Sequence, residues 1–242
     1  MQISELVDPS IITAEDFNKI PLIANQAHML DKFLPDIFDL FRKHNVEAFY
    51  SPHLLHRHFD IQPQQLVVSY DIDVEGCIHL ALPRWPSELK EYPISAHLLY
   101  LNSDGKWQGY EYEAGRDIEW NLSFLSDLKE YVLAHGLKDT FSLRSSPVTE
   151  PFIESEIAPF ATITFPKAPK KAPKPSAIYV EWCCQVESKG PKDRLTKADG
   201  DVCGGAYERC YPDEDGIHER IGELRSRRYL LECLKSHGFD LE

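Results

Sequence analysis

Several strand-like segments follow one another between residues 64 and 114 with no helical pattern between them, and this order constrains the fold most. The first segment, QQLVVSYDIDV, is rich in Val, Ile and Tyr and ends by alternating apolar with acidic residues, as a half-buried strand does. The segment GCIHLALP has the same character, and two further strands flank an Asn-Ser-Asp-Gly turn at residues 102–105, which favours a hairpin. Strands joined by short turns pair antiparallel, so we predict a largely antiparallel sheet.

Helical patterns lie on both sides of these strands. Residues 14–44 repeat apolar side chains at helical spacing, and Pro21 and Pro35 predict more than one helix or a kink. Residues 117–137 have the most regular helical pattern. The later segments TFSLRS, ATITFP and IYVEWCCQV read as strands, and PVTEPFIESEIAP, between the first two, reads as a loop. We therefore predict an α+β fold, a largely antiparallel sheet with helices packed on one face.

A segment rich in proline and lysine divides the chain. Residues 166–177, PKAPKKAPKPSA, contain almost nothing apolar, which favours an extended linker or surface loop. We predict a main α+β domain over residues 1–165, this linker or loop over residues 166–177, and a C-terminal strand and helix over residues 178–242 that pack on the same domain. The composition of the linker also predicts early proteolytic cleavage there.

The composition bears on partners and compartment. A net charge of −13 repels phosphate groups, so we predict no nucleic-acid partner and no membrane partner. No apolar run approaches the roughly 20 residues that span a bilayer, and the opening MQISELVDPS does not have the pattern of a signal peptide. We therefore predict a cytoplasmic protein whose cysteines are thiols or metal ligands rather than disulfides. The sequence gives no indication of the oligomeric state.

The stretch YSPHLLHRHFDI holds three of the ten histidines within six residues: His53, His56 and His58. On an extended chain, His56 and His58 point to the same side and Arg57 to the other. A His-x-His pair of this kind chelates zinc, iron, manganese or copper when a carboxylate or a further histidine completes the site. His79 and His97, on neighbouring predicted strands, are candidates for the missing ligand.

A helical geometry gives a different site. Ser51 followed by Pro52 is a typical helix start. On a helix His53 and His56 share a face, while His58 lies about 200° away from His56. The two patterns hold together only if a helical turn gives way to an extended chain between His56 and His58.

These imidazoles support three interpretations. They bind a divalent metal ion, zinc or iron; or they act as acid–base groups without a metal, since a pKa near 6.5 suits proton transfer; or they only form hydrogen bonds within the fold. Arg57 can bind a carboxylate or phosphate of a ligand. We take His56, Arg57 and His58 as candidate catalytic residues, and His56 and His58 as candidate metal ligands.

A second candidate metal site lies in the cysteine-rich end. Cys203, Cys210 and His218, with either Cys183 or Cys184, supply the four nitrogen and sulfur ligands that a structural zinc ion needs. The spacings, C-x6-C and C-x7-H, are looser than in common zinc knuckles. The alternative is that these cysteines are buried or inert thiols.

The common catalytic motifs do not occur in the sequence. It contains no G-x-S-x-G, no G-x-G-x-x-G, no P-loop and no H-E-x-x-H. This argues against α/β-hydrolases, dinucleotide oxidoreductases, P-loop NTPases and the common zinc proteases.

The motif LLHRHF at residues 54–59, followed by LAHGLKDTFSLR and a late Cys-Cys-His pattern, resembles a group of intracellular hypothetical proteins of filamentous fungi. The resemblance covers about residues 31–218 and implies a fungal, non-secreted origin. The segment PKAPKKAPKP departs from the pattern of the group, which favours a dispensable loop. The resemblance implies no activity, cofactor or catalytic residue.

Two functions are compatible with these features. The first is an enzyme of small-molecule metabolism with a site around His56 and His58, either metal-bound or acid–base. The second is a non-catalytic intracellular binding or interaction protein whose C-terminal segment is stabilised by zinc. A cavity lined by His56 or His58 together with an acidic side chain favours the enzyme.

Overall fold

In a computed structural model, the described residues include eleven strands and three α-helices with defined bounds. The structure describes residues 6–23, 30–74, 77–89, 93–145, 152–158, 160–166, 178–182 and 207–210, with 232, 234–236 and 238–239 near the C-terminus. The helices are α1 (Ala14–Phe17), α2 (Leu34–His44) and α3 (Leu122–Ala134), and a 3-10 turn covers Pro86–Glu88. The strands are β1 (Val7–Asp8), β2 (Tyr50–Leu54), β3 (Leu66–Val74), β4 (Cys77–Arg84), β5 (Ile94–Leu101), β6 (Trp107–Ala114), β7 (Phe141–Ser145), β8 (Phe152–Ala158), β9 (Ala161–Pro166), β10 (Ile178–Trp182) and β11 (Tyr207–Cys210).

These strands form one sheet that closes on itself. The order is β1-β6-β3-β4-β9-β8-β11-β10-β2-β7-β5, and β5 pairs in turn with β6. Most of these pairings are antiparallel, whereas β1–β6, β3–β6 and β8–β11 are parallel. The sheet is therefore mixed and mostly antiparallel. The predicted α+β combination of helices and a mostly antiparallel sheet is confirmed, while the packing of the helices on one face stays a prediction.

Local signals explain where the two longer helices begin and end. Helix α2 has Pro35 in its first turn and ends at Asn45, which adopts a left-handed conformation with φ 52°, a common way to end a helix. The side chain of Asn121 caps α3 by accepting a hydrogen bond from the backbone N–H of Phe124 at 3.1 Å. The described part of the predicted helical stretch 14–44 thus includes two separate helices, and the helix predicted at 117–137 is shorter than expected.

An aromatic core joins α2 and α3 to the strands. Phe41 of α2 and Phe124 of α3 meet edge to face, with ring centroids 4.8 Å apart. Trp107 of β6 is fully buried, and its indole N–H donates to the carbonyl of Leu125 at 2.9 Å. Burying aromatic side chains of this size is a main source of stability. No helix among the described residues is long and apolar enough to span a membrane.

Two expectations about local structure were wrong. The segment predicted to start as a helical turn at Ser51 is strand β2, and its five residues pair in register with β7 from Tyr50↔Ser145 to Leu54↔Phe141. The segment predicted as a loop before ATITFP contains strand β8, which pairs with β9 and β11. In both cases pairing with strands distant in sequence overrides the local signals.

The C-terminal predictions fall mostly beyond the described residues. Strand β10 pairs with β2, and β11 pairs with β8, so both belong to the same sheet as the rest of the chain. Residues 167–177 of the predicted linker lie outside the described residues. The same holds for Cys183, Cys184, Cys203 and His218. Cys210 ends β11, but its side chain is outside the described part as well.

Candidate metal centre

Backbone hydrogen bonds hold the chain extended after β2. The N–H of Leu55 donates to the carbonyl of Thr140 at 2.8 Å, and the N–H of Arg57 donates to the carbonyl of Pro21 at 3.0 Å. Arg57 also forms a parallel bridge with Leu22. The histidine stretch is therefore fixed on both sides by segments that are distant in sequence.

This path brings three imidazole rings together. The rings of His56 and His58 are nearly perpendicular, with centroids 4.6 Å apart. The ring of His53 stacks on that of His56 at 5.2 Å with an interplanar angle of 16°. His53 and His56 are buried, so the stretch does not form an exposed helical turn.

Glu154 of β8 completes the cluster. Its Oε2 atom lies 3.1 Å from Nε2 of His58, and only 12% of the Glu154 side chain and 8% of the His58 side chain are exposed. One ligand atom from each of His56, His58 and Glu154 lies within 4.8 Å of the other two. These three residues form a group that can hold a metal ion, in line with the predicted divalent cofactor. The carboxylate comes from the segment predicted to be a loop.

The donor set suits a divalent metal. Two imidazole nitrogens and one carboxylate oxygen are ligands for zinc and for non-haem iron. Ligand atoms at the usual distances from a tetrahedral zinc ion lie roughly 3.3 Å from one another, and the His58–Glu154 contact is 3.1 Å. The Nδ1 atom of His56 is 2.7 Å from the carbonyl of Leu54. A carbonyl only accepts, so Nδ1 carries the proton and the neutral ring keeps its lone pair on Nε2.

His53 is held by a chain of buried hydroxyl groups. The hydroxyl of Tyr110 donates to Oγ of Ser142 at 3.1 Å, and that Oγ is 3.0 Å from Nδ1 of His53. The Ser142 hydroxyl, which has one proton and two lone pairs, therefore bridges Tyr110 and His53. Burial, with the neighbouring His56 ring and the charge of Arg144 adding to it, holds the pKa of His53 well below its usual range. His53 is thus a neutral ring that stacks on a candidate ligand.

A buried ion pair lies one strand away from this stack. Nη1 of Arg144 is 2.7 Å from Oε2 of Glu181, whose residue surface is completely buried. The hydroxyl of Ser51 donates to the other carboxylate oxygen at 2.5 Å. In the sheet register, Ser51 is opposite Arg144, and His53 is opposite both Ser142 and Glu181. The pairing compensates part of the cost of burying two charges.

A second buried pair, His97 and Glu111, lies close enough to the cluster for the charges of His58 and Glu154 to affect the pKa of Glu111. Nε2 of His97 is 3.9 Å from Oε2 of Glu111. Burial, together with the positive charge of Arg144, lowers the pKa of His97 to about 3. Burial raises the pKa of Glu111 to about 7; His58 opposes this shift and Glu154 adds to it. The two groups are therefore neutral near pH 6.

Not every predicted residue joins the cluster. Nδ1 of His79 bonds to the exposed carboxylate of Asp71 at 2.8 Å, and neither His79 nor His97 belongs to the three-residue ligand group. Nε of Arg57 donates to the carbonyl of Ile20 at 2.6 Å, and Nη1 pairs with Asp60 at 2.5 Å. Arg57 therefore links its own segment to Ile20 and Asp60, and its catalytic role stays a prediction.

Sequence reasoning missed the residues that approach from other strands: Tyr110, Glu111, Ser142 and Glu154. The available signal for Glu154 was a seven-residue segment without glycine or proline, FIESEIA, between Pro151 and Pro159. That length suits a strand. Its two glutamates and flanking prolines favoured a loop instead.

Comparison with known proteins adds nothing to this geometry. No family model matches the chain, and neither a curated protein nor a solved structure matches it. The resemblance to fungal proteins and the expected origin therefore stay predictions.

Proposed function

We propose that the chain is an enzyme of small-molecule metabolism that binds one divalent metal ion, zinc or iron, through His56, His58 and Glu154. The observation that carries the proposal is the convergence of their ligand atoms within 4.8 Å. Two of the ligands follow β2 and the third lies on β8, so the group is assembled only by folding. The same proposal places the protein in the cytoplasm and gives it a fungal origin, as the sequence resemblance indicates.

The three protein ligands found among the described residues favour a catalytic centre. A structural zinc site is usually closed by four protein ligands, whereas a catalytic one keeps a position open for water or substrate. Two histidines and one carboxylate are also the set used by non-haem iron(II) enzymes, in which the open positions take up the reactants. In either case the protein supplies a partly buried site in which a bound water or substrate is polarised.

The surroundings of the ligands support the proposal. The bond from His56 Nδ1 to the Leu54 carbonyl, 2.7 Å long, directs the lone pair of that ring to Nε2. Metal-binding histidines usually donate their second ring nitrogen in this way, which fixes the ring and its tautomer. The uncharged ring of His53, stacked on His56, fills the space beside the ligand without adding a positive charge.

One observation favours a second candidate, an acid–base enzyme without a metal. A carboxylate 3.1 Å from an imidazole nitrogen is the arrangement by which a carboxylate orients a histidine that transfers protons. In that case His58 is the proton carrier and Glu154 orients it. The two candidates differ in metal content and share the same residues.

Elemental analysis of the untagged full chain tests the proposal. We expect about one zinc or iron ion per chain in the wild type and in His135→Ala, because His135 is exposed and its ring bonds to the Tyr131 carbonyl at the end of its own helix. His58→Ala and Glu154→Gln should lower zinc affinity by about 100-fold or more, since even residues behind the ligands affect affinity by 10–100-fold.

Two outcomes would overturn the metal proposal. One is wild-type protein that neither retains nor takes up zinc or iron(II). The other is a zinc affinity that is the same in His58→Ala as in His135→Ala. If the wild type then still shows a catalytic activity that His58→Ala abolishes, the acid–base candidate replaces the metal one.

A further inference from the structure

A cavity of about 700 Å³ lies at one end of the sheet, apart from the metal ligands. Its walls come from residues 8–21, from the turn between β5 and β6 and from residues 138 and 139, and Leu55 reaches it as well. None of His56, His58 and Glu154 is among the residues that line it. The volume is that of a small-molecule site.

One wall of the cavity is a continuous polar network. The hydroxyl of Tyr100 donates to Oε1 of Gln108 at 3.3 Å, and Nδ2 of Asn102 is 3.4 Å from the same atom. Nδ2 of Asn102 also lies 3.2 Å from a carboxylate oxygen of Asp8, and Nε2 of Gln108 donates to Oγ of Ser10 at 3.2 Å. Five side chains from three segments are therefore fixed relative to one another before any ligand binds.

The protonation states of this wall are fixed over the physiological pH range. Hydrogen bonds from the side chain and backbone of Ser10 lower the pKa of Asp8, so it is a carboxylate. Burial raises the pKa of Tyr100, so its phenol stays protonated. Asp8 therefore only accepts hydrogen bonds, whereas the amides and hydroxyl groups beside it both donate and accept.

The remaining walls are partly apolar. Ile11, Ile20, Pro21 and Leu55 all line the cavity, and the side chain of Ile11 is exposed, with 45% of the residue surface accessible. A ligand in this cavity meets hydrogen-bonding groups on one side and hydrocarbon on another. A ring with hydroxyl groups at its edge and C–H groups on its faces matches both surfaces.

The charges of the lining argue against an anionic ligand. It contains four carboxylates and two ammonium groups: Asp8, Asp16, Asp104, Asp139, Lys19 and Lys138. Lys19 is already paired with Asp16 and Glu15, at 3.0 and 3.1 Å. A phosphorylated compound would enter against this excess of negative charge and against the net charge of −13 of the whole chain.

We infer that the cavity binds a neutral, polyhydroxylated small molecule of the sugar class. The polar network supplies the donors and acceptors, Tyr100 and the aliphatic side chains supply the apolar contact, and the carboxylates exclude anions. The inference does not rest on the metal proposal, because the two sets of residues are separate.

The test uses the full chain treated with a chelator and a panel of neutral mono- and disaccharides, followed by saturation-transfer NMR and titration. We expect at least one sugar to bind, and Tyr100→Phe to weaken its affinity about fivefold, as the loss of one hydrogen bond does. Gln108→Met, which keeps the length of the side chain and removes the amide, should weaken it further. Tyr131→Phe is the matched control, because its hydroxyl bonds to Asp36 and does not line the cavity.

Three results would overturn the inference. The first is a panel in which no neutral sugar binds. The second is preferential binding of sugar phosphates or small organic amines over the neutral compounds. The third is a sugar affinity that is the same in Tyr100→Phe and Gln108→Met as in Tyr131→Phe. Binding in the His58→Ala variant should equal that of the wild type, so a loss there would also contradict a site separate from the metal ligands.

Discussion

Nε2 of His58 lies 3.1 Å from Oε2 of Glu154, although the two residues belong to segments far apart in sequence. The distance suits an imidazolium–carboxylate pair, and it also suits two ligands of one metal ion. A proton on His58 and a metal ion therefore compete for the same nitrogen. Metal affinity should rise with pH until the imidazole is fully deprotonated.

Two serines of β7 give a matched test of the hydroxyl chain. Ser142→Ala removes the partner of both Tyr110 and His53 and leaves two buried polar groups unsatisfied. It should lower the free energy of unfolding by about 1–3 kcal/mol and weaken zinc binding up to about tenfold through His53. Ser145 is buried on the same strand, and its hydroxyl has no hydrogen-bond partner among the residues that the structure describes.

Ser145→Ala should therefore leave zinc affinity unchanged, and it should leave the free energy of unfolding unchanged or raise it slightly. Urea denaturation and zinc titration of the two variants provide the measurement. Equal effects of the two substitutions would show that the hydroxyl chain does not organise His53.

The buried Arg144–Glu181 pair predicts an asymmetric response to substitution. Glu181→Gln leaves the buried guanidinium of Arg144 without its counter-charge, which should cost about 3–5 kcal/mol of unfolding free energy. The double variant Arg144→Met, Glu181→Leu removes both charges and should recover most of that loss. Denaturant unfolding of the single and double variants measures the loss of unfolding free energy and its recovery. A double variant as unstable as the single one would mean that the charge pair is not the source of the effect.

Glu111 predicts a pH dependence with a defined sign. Its pKa is about 7 in the folded chain and near 4.3 in an unfolded one, so the folded chain binds more protons between these values. The contribution of Glu111 to stability is therefore complete below the unfolded pKa and lost as pH rises through 7. The loss between pH 5 and 7 is about 2 kcal/mol. The Glu111→Gln variant should not show this loss of stability, which is measured as the difference between the unfolding free energies at the two pH values.

The matched control for this measurement is Glu119→Gln, a substitution at an exposed position. It should retain the wild-type pH dependence. If the unfolding free energies of Glu111→Gln and Glu119→Gln depend on pH in the same way, Glu111 does not titrate near neutrality in the folded chain.

His97 acts in the opposite direction. Its pKa is about 3 in the folded chain and near 6.5 in an unfolded one, so its contribution is present above pH 6.5 and lost on acidification. Between pH 7 and 5 the loss is up to about 2 kcal/mol. His97→Gln should be less acid-sensitive than the wild type, whereas His135→Gln, at an exposed position, should not differ. Thermal melting at the two pH values compares them, and equal acid sensitivity in both variants would contradict a buried neutral His97.

The parts of the fold that follow from local sequence were predictable. Val, Ile and Tyr in QQLVVSYDIDV gave most of β3, and the Asn102 turn gave the β5–β6 hairpin. Helix α3 followed from the apolar spacing of residues 117–137. In these segments propensity, turn chemistry and burial all favour the same structure.

The candidate site was only half predictable, because it depends on pairing between distant strands. The His-x-His pattern identified His56 and His58, but the Ser51–Pro52 helix signal was overridden by pairing of β2 with β7. Glu154 reaches the cluster through the pairing of β8 with β9 and β11. No local sequence pattern identifies a strand partner that is distant along the chain, because such pairing depends on how the whole sheet assembles.

Extended X-ray absorption fine structure at the zinc edge tests most directly whether His56, His58 and Glu154 bind the metal. The sample is the full chain carrying Cys203→Ser and Cys210→Ser, loaded with one equivalent of zinc, so that the cysteine-rich end does not compete. We expect nitrogen and oxygen ligands at about 2.0–2.2 Å, outer-shell scattering from two imidazoles, and loss of one imidazole in His58→Ala. A sulfur shell at about 2.3 Å, or a spectrum unchanged by His58→Ala, would contradict it.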